Sequence, residues 1–399
     1  MPLDVAAVRS QFPALAAGTV YFDGPGGSQT PAVVADAVRN TLVSPIANRG
    51  TVTAAERTAE ATVVAAREAL ADFVNHRPDG IVFGRSMTAL TFDFARTLAK
   101  EWRDGDEVVV TRLDHDANVR PWVIAAETVG ATVRWADFDP HITELTPDHV
   151  RAALSTRTRL VAVTGASNLL GTRPDLAAIS ALAHDAGALC YVDAVHLAAH
   201  AALDLPASGA DFVACSPYKF FGPHCGVVAG RVQLLDRLRP DKLLPSTDAV
   251  PERFELGTLP YELMAGTTAA VDFIASLAPR SGGRRARIVE AMALVAEHED
   301  RLRVRVEEGV AAIGGITVVS RAARRTPTLL LTFAERDPAD AYRVLAEHGV
   351  NAPAGSFYAY EPARRLGLGS AGGLRVGLAP YTDDADVDRL LEGLEKFVA

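Results

Sequence analysis

Lys219 lies in Ala214-Cys215-Ser216-Pro217-Tyr218-Lys219-Phe220-Phe221-Gly222-Pro223, between a short apolar run and two aromatics, in a chain whose other lysines are Lys100, Lys242 and Lys396. An amine in such surroundings is partly withdrawn from water, which favours the neutral, nucleophilic form over the ammonium. The ordinary fate of a strand-end lysine is different: its flexible stem carries the charge out to solvent. Upstream, Ala188-Leu189-Cys190-Tyr191-Val192-Asp193 is an apolar run ending in a carboxylate, as a buried parallel strand does when its carboxyl end opens onto a site. A neutral amine condenses with a carbonyl, and a buried acid can keep a heterocyclic nitrogen protonated so that the ring accepts electrons. Lys219 and Asp193, each closing its own strand, supply that pair; alone, such an Asp reads as a helix cap or turn former.

The two strands belong to a series. Apolar, β-branched runs recur at 80–83, 107–110, 132–135, 160–163, 189–192, 212–215 and 226–229, with helical stretches such as 175–187 between them. Strands alternating with helices predict an α/β core built on a mostly parallel seven-stranded sheet covered on both faces. From about Pro260 the rhythm changes to a long helical stretch at 284–309, strands at 317–319 and 328–333, and helices at 338–348 and 384–398. That pattern predicts a smaller α+β domain, so the division expected is 16–260 for the large domain and 261–399, with 1–15, for the small one. The arginines Arg284, Arg285 and Arg287 read as a solvated helix face.

Composition narrows the partners. The chain has 399 residues, 49% hydrophobic and 22% charged, with a formal charge of -9. That acidic balance argues against nucleic acid or an anionic membrane surface as the partner. The N-terminal residues lack a basic region followed by an apolar one, and no charge-free stretch has transmembrane length, so a cytoplasmic protein is expected. The cysteines are Cys190, Cys215 and Cys225, an odd number without metal-ligand spacing, which predicts neither disulfide nor metal site. Cys225, after Gly222-Pro223-His224, is either a reactive loop thiol or a small residue entering the next strand.

Several further segments, together with the two above, give the chain a family resemblance. Ser216-Pro217-Tyr218-Lys219 and Asp193-Ala194-Val195-His196 are joined by Phe83-Gly84-Arg85-Ser86-Met87-Thr88, Leu113-Asp114-His115-Asp116-Ala117-Asn118-Val119-Arg120-Pro121-Trp122, Ser167-Asn168-Leu169-Leu170-Gly171-Thr172, Gly257-Thr258 and Gly373-Leu374-Arg375-Val376-Gly377. In this order they resemble the class V aminotransferase-fold enzymes (fold type I) that use pyridoxal phosphate, above all the cysteine desulfurase and selenocysteine lyase group. The resemblance runs from Tyr21 to about Asp388.

The resemblance implies that Lys219 carries the cofactor as a Schiff base, that Asp193 holds its ring nitrogen, and that His196 approaches its phenolic oxygen. By the same match His115 stacks on the ring. Met87, Thr88, Ser216 and Tyr218 receive the phosphate, with Met87 contributing its amide at a helix start, where anions are favoured. Thr258 is implied to reach the phosphate of a neighbouring subunit, hence a homodimer. Asn168 is implied to approach both the phenolic oxygen and the substrate, and Arg375 is assigned to the substrate, the guanidinium suiting an amino acid carboxylate. Gly26, within Tyr21-Phe22-Asp23-Gly24-Pro25-Gly26-Gly27, and Arg49, within Asn48-Arg49-Gly50, line the entrance.

One departure bears on the reaction. Desulfurases carry a mobile sulfur-accepting cysteine in the loop before the arginine strand, and here Ala352-Pro353-Ala354-Gly355-Ser356-Phe357-Tyr358-Ala359 has none. The expectation is therefore a desulfurase-like or C–S lyase reaction at Cα and Cβ of a small amino acid such as cysteine or a derivative. Alternatives are an aminotransferase or epimerase of secondary metabolism, a kynureninase-like hydrolase (His196 and Tyr218 resemble that branch), or a non-catalytic pyridoxal phosphate-binding protein.

Overall fold

The computed structural model describes residues 2–278 and 282–399. Its first strand is β1 (Val20–Tyr21), followed by β2 (Ile81–Gly84), β3 (Glu107–Thr111), β4 (Thr132–Ala136), β5 (Thr158–Thr164), β6 (Leu189–Asp193), β7 (Phe212–Cys215) and β8 (Gly226–Gly230). The last seven form one sheet in the order β2-β8-β7-β6-β5-β3-β4, in which only β8 runs against its neighbours. Each strand coincides with a run expected from the sequence. Most of these runs are apolar because both faces are covered, whereas the edge strand β4 leaves Thr132 and Arg134 exposed; period-two alternation divides the apolar residues between two cores. Val82, Val108, Leu160, Tyr191, Phe212 and Val228 point one way, and Phe83, Val109, Val161, Val192, Val213 and Val227 the other.

The remaining strands are β9 (Ile316–Val318), β10 (Thr328–Phe333), β11 (Val350–Asn351), β12 (Ala354–Gly355) and β13 (Gly373–Gly377). Four of them make an antiparallel sheet, β12-β13-β10-β9, packed with the helices Arg284–Ile313, Pro338–Glu347 and Asp384–Val398 around a third core. β1 pairs with β11, so the N-terminal segment crosses to the C-terminal elements and brings Asp23 beside Gly377.

The arginine cluster is not simply solvated. Arg284 bridges Asp72 at 3.1 Å and Asp272 at 2.8 Å, and Arg285 donates to the Phe73 carbonyl at 2.9 Å. These long side chains fasten the Arg284–Ile313 helix to the Ala54–Val74 and Tyr261–Ser276 helices, because carboxylates and a free helix-end carbonyl lie within their reach. None of the helices described is long and apolar enough to cross a membrane.

Candidate active site

The site forms where strands end. Register pairs Thr164 with Asp193 and Asp193 with Ala214, so β5, β6 and β7 finish at one edge of the sheet, the place where open α/β sheets take ligands. There Gly26, Met87, Thr88, His115 and Asn168 line a cavity of about 390 Å³. Asp193, His196, Ser216, Tyr218, Lys219 and Arg375 complete the set that it shares with the sequence reading.

Lys219 ends the turn Pro217–Lys219 directly after β7, is 9% exposed, and donates from Nζ to the Pro25 carbonyl. Burial, reinforced by the Arg375 cation, lowers its pKa from 10.5 to about 7, while Asp23 and Asp193 oppose the shift. Asp193 is buried at the end of β6, and its Oδ1 accepts the Val195 amide at 2.9 Å. Burial raises its pKa to about 6 against that hydrogen bond and the attraction of Lys219. Two buried groups are thus poised near neutrality, a pattern that marks functional sites.

The histidines are held neutral. Burial, with Lys219 nearby, lowers His115 to about 4. Its Nδ1 accepts the Ala117 amide at 3.0 Å, and the loop that carries it is locked from beneath. Asn118 donates to Asp114 at 2.7 Å and accepts from the Trp122 indole at 3.0 Å, which accounts for the Asp, Asn and Trp of that segment. His196 Nε2 lies 2.9 Å from the Thr326 hydroxyl and 3.0 Å from that of Thr328, and its pKa falls well below 6.5, chiefly through burial.

The helix Met87–Ala99 starts at the cavity, which Ser86, Met87 and Thr88 line. Its cap, Ser86, takes the Ala89 amide at 3.1 Å, and the other first-turn amides have no partner within the helix. Gly226, at the start of β8, packs so closely here that a Cβ would overlap the Ser86 and Met87 backbone.

Arg375, on β13, is 2% exposed. It donates from Nη2 to Asp23 Oδ1 at 2.6 Å and from Nη1 to the Asn168 carbonyl at 3.2 Å, and its Cζ sits 3.7 Å from the Phe357 ring centroid. Asn168 donates from Nδ2 to the Phe357 carbonyl at 3.0 Å, while its Oδ1 is buried without a partner.

Two of the expected residues lie elsewhere. Arg49 is paired with Glu60 at 2.8 Å and Glu252 at 3.1 Å, and the exposed Thr258 follows Gly257 in a loop; neither lines the cavity of its own chain. Cys225 is buried against Thr267, its thiol pushed up to about 11 by burial, so it is the small residue entering β8 and not a reactive loop thiol. Conversely, Asp23, Thr326 and Thr328 touch the site residues without having been singled out. Asp23 does sit in the Tyr21–Gly27 segment noted in the sequence, and a carboxylate there, among glycines that leave it room, was the available signal.

Similarity to known proteins identifies the family. The family profile "Aminotransferase class-V" matches residues 20–390. The chain is 33% identical to the uncharacterized protein MT3887 of Mycobacterium tuberculosis strain CDC 1551, over 99% of both chains. It is 32% identical to the aminotransferase-like protein FGM3 of Gibberella zeae, over 97% of both. The crystal structure of the Escherichia coli cysteine desulfurase CsdA, in an S-sulfonic acid form, superposes with a TM-score of 0.87 at 27% identity, covering 99% of this chain and 98% of that one. The chain therefore belongs to the class V aminotransferase family, as a cysteine desulfurase-like enzyme dependent on pyridoxal phosphate.

Proposed function

We propose that Lys219 holds pyridoxal phosphate covalently and that the enzyme acts at Cα and Cβ of a small amino acid, breaking a C–S bond in cysteine or a cysteine derivative. The observation that carries the reading is the convergence, in one cavity, of an amine lowered to about 7, a buried carboxylate at the end of the neighbouring strand, and a buried arginine.

The residues present suit the cofactor. Partnerless amides at the Met87–Ala99 helix start, with Thr88, Ser216 and Tyr218, offer a seat for its phosphate. Asp193 is placed to hold a ring nitrogen, and His196, anchored by two hydroxyls, to meet the phenolic oxygen. The unpartnered Asn168 Oδ1 is a buried acceptor that a ligand would satisfy. When bound, the cofactor supplies an electron sink for the pair released at Cα.

The chain's own groups do the remainder. Lys219, neutral near pH 7, is the base that moves the Cα proton. His115, uncharged, offers a flat face. Arg375 orients the substrate through its carboxylate, with the Phe357 ring behind the guanidinium. No cysteine lines the cavity, and all three are buried, so sulfur leaves in the product instead of on the protein. We further propose a homodimer in which Thr258 reaches the neighbouring copy's phosphate. Its exposure, and that of Leu244 and Leu256, supports this.

Incubation of the loaded protein with cysteine, cysteine sulfinate and S-substituted cysteines should release sulfide, sulfite or pyruvate, and no product from any of them refutes the reaction. Lys219→Ala should lose the visible absorbance of the lysine-linked cofactor. A second reading, transamination, draws on the similarity to FGM3. It requires the pyridoxamine form to appear with an amino donor and to revert with a keto acid.

A further inference from the structure

Arg375 is a buried cation that the chain already neutralises with a carboxylate of its own. Asp23 Oδ1 takes the Nη2 donor at 2.6 Å, Nη1 is spent on the Asn168 carbonyl, and Nε is buried without a partner. The Asp23 side chain is 32% exposed and lines the cavity, so it stands where an anionic ligand of Arg375 must arrive. Its carboxylate lies across Gly26, where a Cβ would come within 2.7 Å of Cγ. The backbone beneath is fixed: the Gly26 and Gly27 amides donate to the Asp23 carbonyl at 2.9 and 3.1 Å, and Lys219 donates to Pro25 in the same turn. Asp23 can therefore leave Arg375 only by rotating its side chain toward the open cavity.

We propose that Asp23 is a specificity-determining residue: it is the resident counter-ion of Arg375, competes with incoming carboxylates, and lowers the affinity of the site for a bare carboxylate. This rests on the reading of Arg375 as the substrate-carboxylate residue. A bare carboxylate meets a like charge at that position, whereas an amino acid brings an ammonium that offsets it; discrimination arises from the repulsive element as much as from the attractive one.

The test is isothermal titration of the cofactor-loaded protein with propionate, which has no amine to react. Asp23→Asn, nearly isosteric, should bind propionate about tenfold more tightly than the unaltered protein, the scale of one charge-assisted contact. Asp23→Ser should tighten binding in the same direction, so a disturbance peculiar to the amide does not decide the result. Adding Arg375→Gln should abolish the gain. Unchanged or weaker propionate binding in both Asp23 variants, with Arg375→Gln alone still weakening it, overturns the proposal while leaving the role of Arg375 intact. If Arg375→Gln alone leaves propionate binding unchanged, the reading of Arg375 fails and this proposal falls with it.

Discussion

The lowered basicity of Lys219 can be measured directly, because the chain has so few lysines. The difference between 10.5 and about 7 corresponds to roughly 5 kcal/mol against the ammonium, imposed first by burial and then by Arg375. At pH 7.5 an ordinary lysine is neutral in about one molecule per thousand, whereas Lys219 should be neutral in about three-quarters. The cofactor-free protein, labelled briefly with acetic anhydride across a pH series and read by mass spectrometry, reports each lysine separately. Lys100 and Lys396 are exposed and Lys242 partly so, which makes them internal references. Lys219 labelling should rise and level off with a midpoint near 7. Arg375→Gln removes the nearby like charge but not the burial, so the midpoint should move upward without reaching that of the references. A Lys219 midpoint indistinguishable from the references would refute the argument that the cavity activates this amine. Stability carries the same sign: between about pH 7 and 10.5 the folded cofactor-free protein binds fewer protons than the unfolded chain, so it should become more stable as pH rises through that window.

Three other perturbations test separate parts of the structure. Gly226→Ala should push the start of β8 away from Ser86 and Met87 and weaken cofactor retention by about tenfold or more, measured as the dissociation constant of pyridoxal phosphate, since the added methyl meets backbone. Glu255 is buried, pairs with Arg67 through contacts of 2.7 and 2.9 Å, and takes the Phe83 amide of β2 at 2.8 Å, so Glu255→Ala should cost about 3–5 kcal/mol in denaturant unfolding by stranding a buried cation. Cys225→Ala should leave turnover within about twofold and cost about 1 kcal/mol of stability, because its thiol is packed against Thr267 and not presented to the cavity.

Strands and strand-end residues were readable in the sequence because burial on both faces writes a continuous apolar run, and because the chemistry sits where each run stops. Asp193 and Lys219 could be found in this way, each from about ten residues of context. The pairings that tune them could not. Arg375 and Asp23 are 352 positions apart, and no pattern in one chain says which carboxylate a buried arginine meets. Thr328 reaches His196 from another sheet and Thr326 from the segment just before it, and Glu255 satisfies an edge-strand amide from a loop. Arg284 and Arg285 show the converse limit: charge on a helix suggests a solvated face, although long stems let these two reach across to neighbouring helices.

The loop that carries the sulfur-accepting cysteine in desulfurases has a different task here. The Phe357 carbonyl accepts Asn168 from the segment after β5, the Phe357 ring covers Arg375, and the Tyr358 carbonyl accepts the Asp116 amide at 2.8 Å from the segment after β3. Phe357 and Tyr358 both adopt left-handed backbone, with φ of 54° and 56°, which costs non-glycine residues about 1 kcal/mol or more each. Such a conformation persists only where surrounding contacts impose it, and these three ties do so. A loop fastened at these three points holds the guanidinium and the Asn168 amide in place, an arrangement that opposes an outward swing as a carrier. Only the Tyr358 side chain, 77% exposed, is left at the mouth. A fastened loop without a cysteine supports the proposed reaction, in which chemistry finishes inside the cavity and a diffusible product leaves, as a C–S lyase requires.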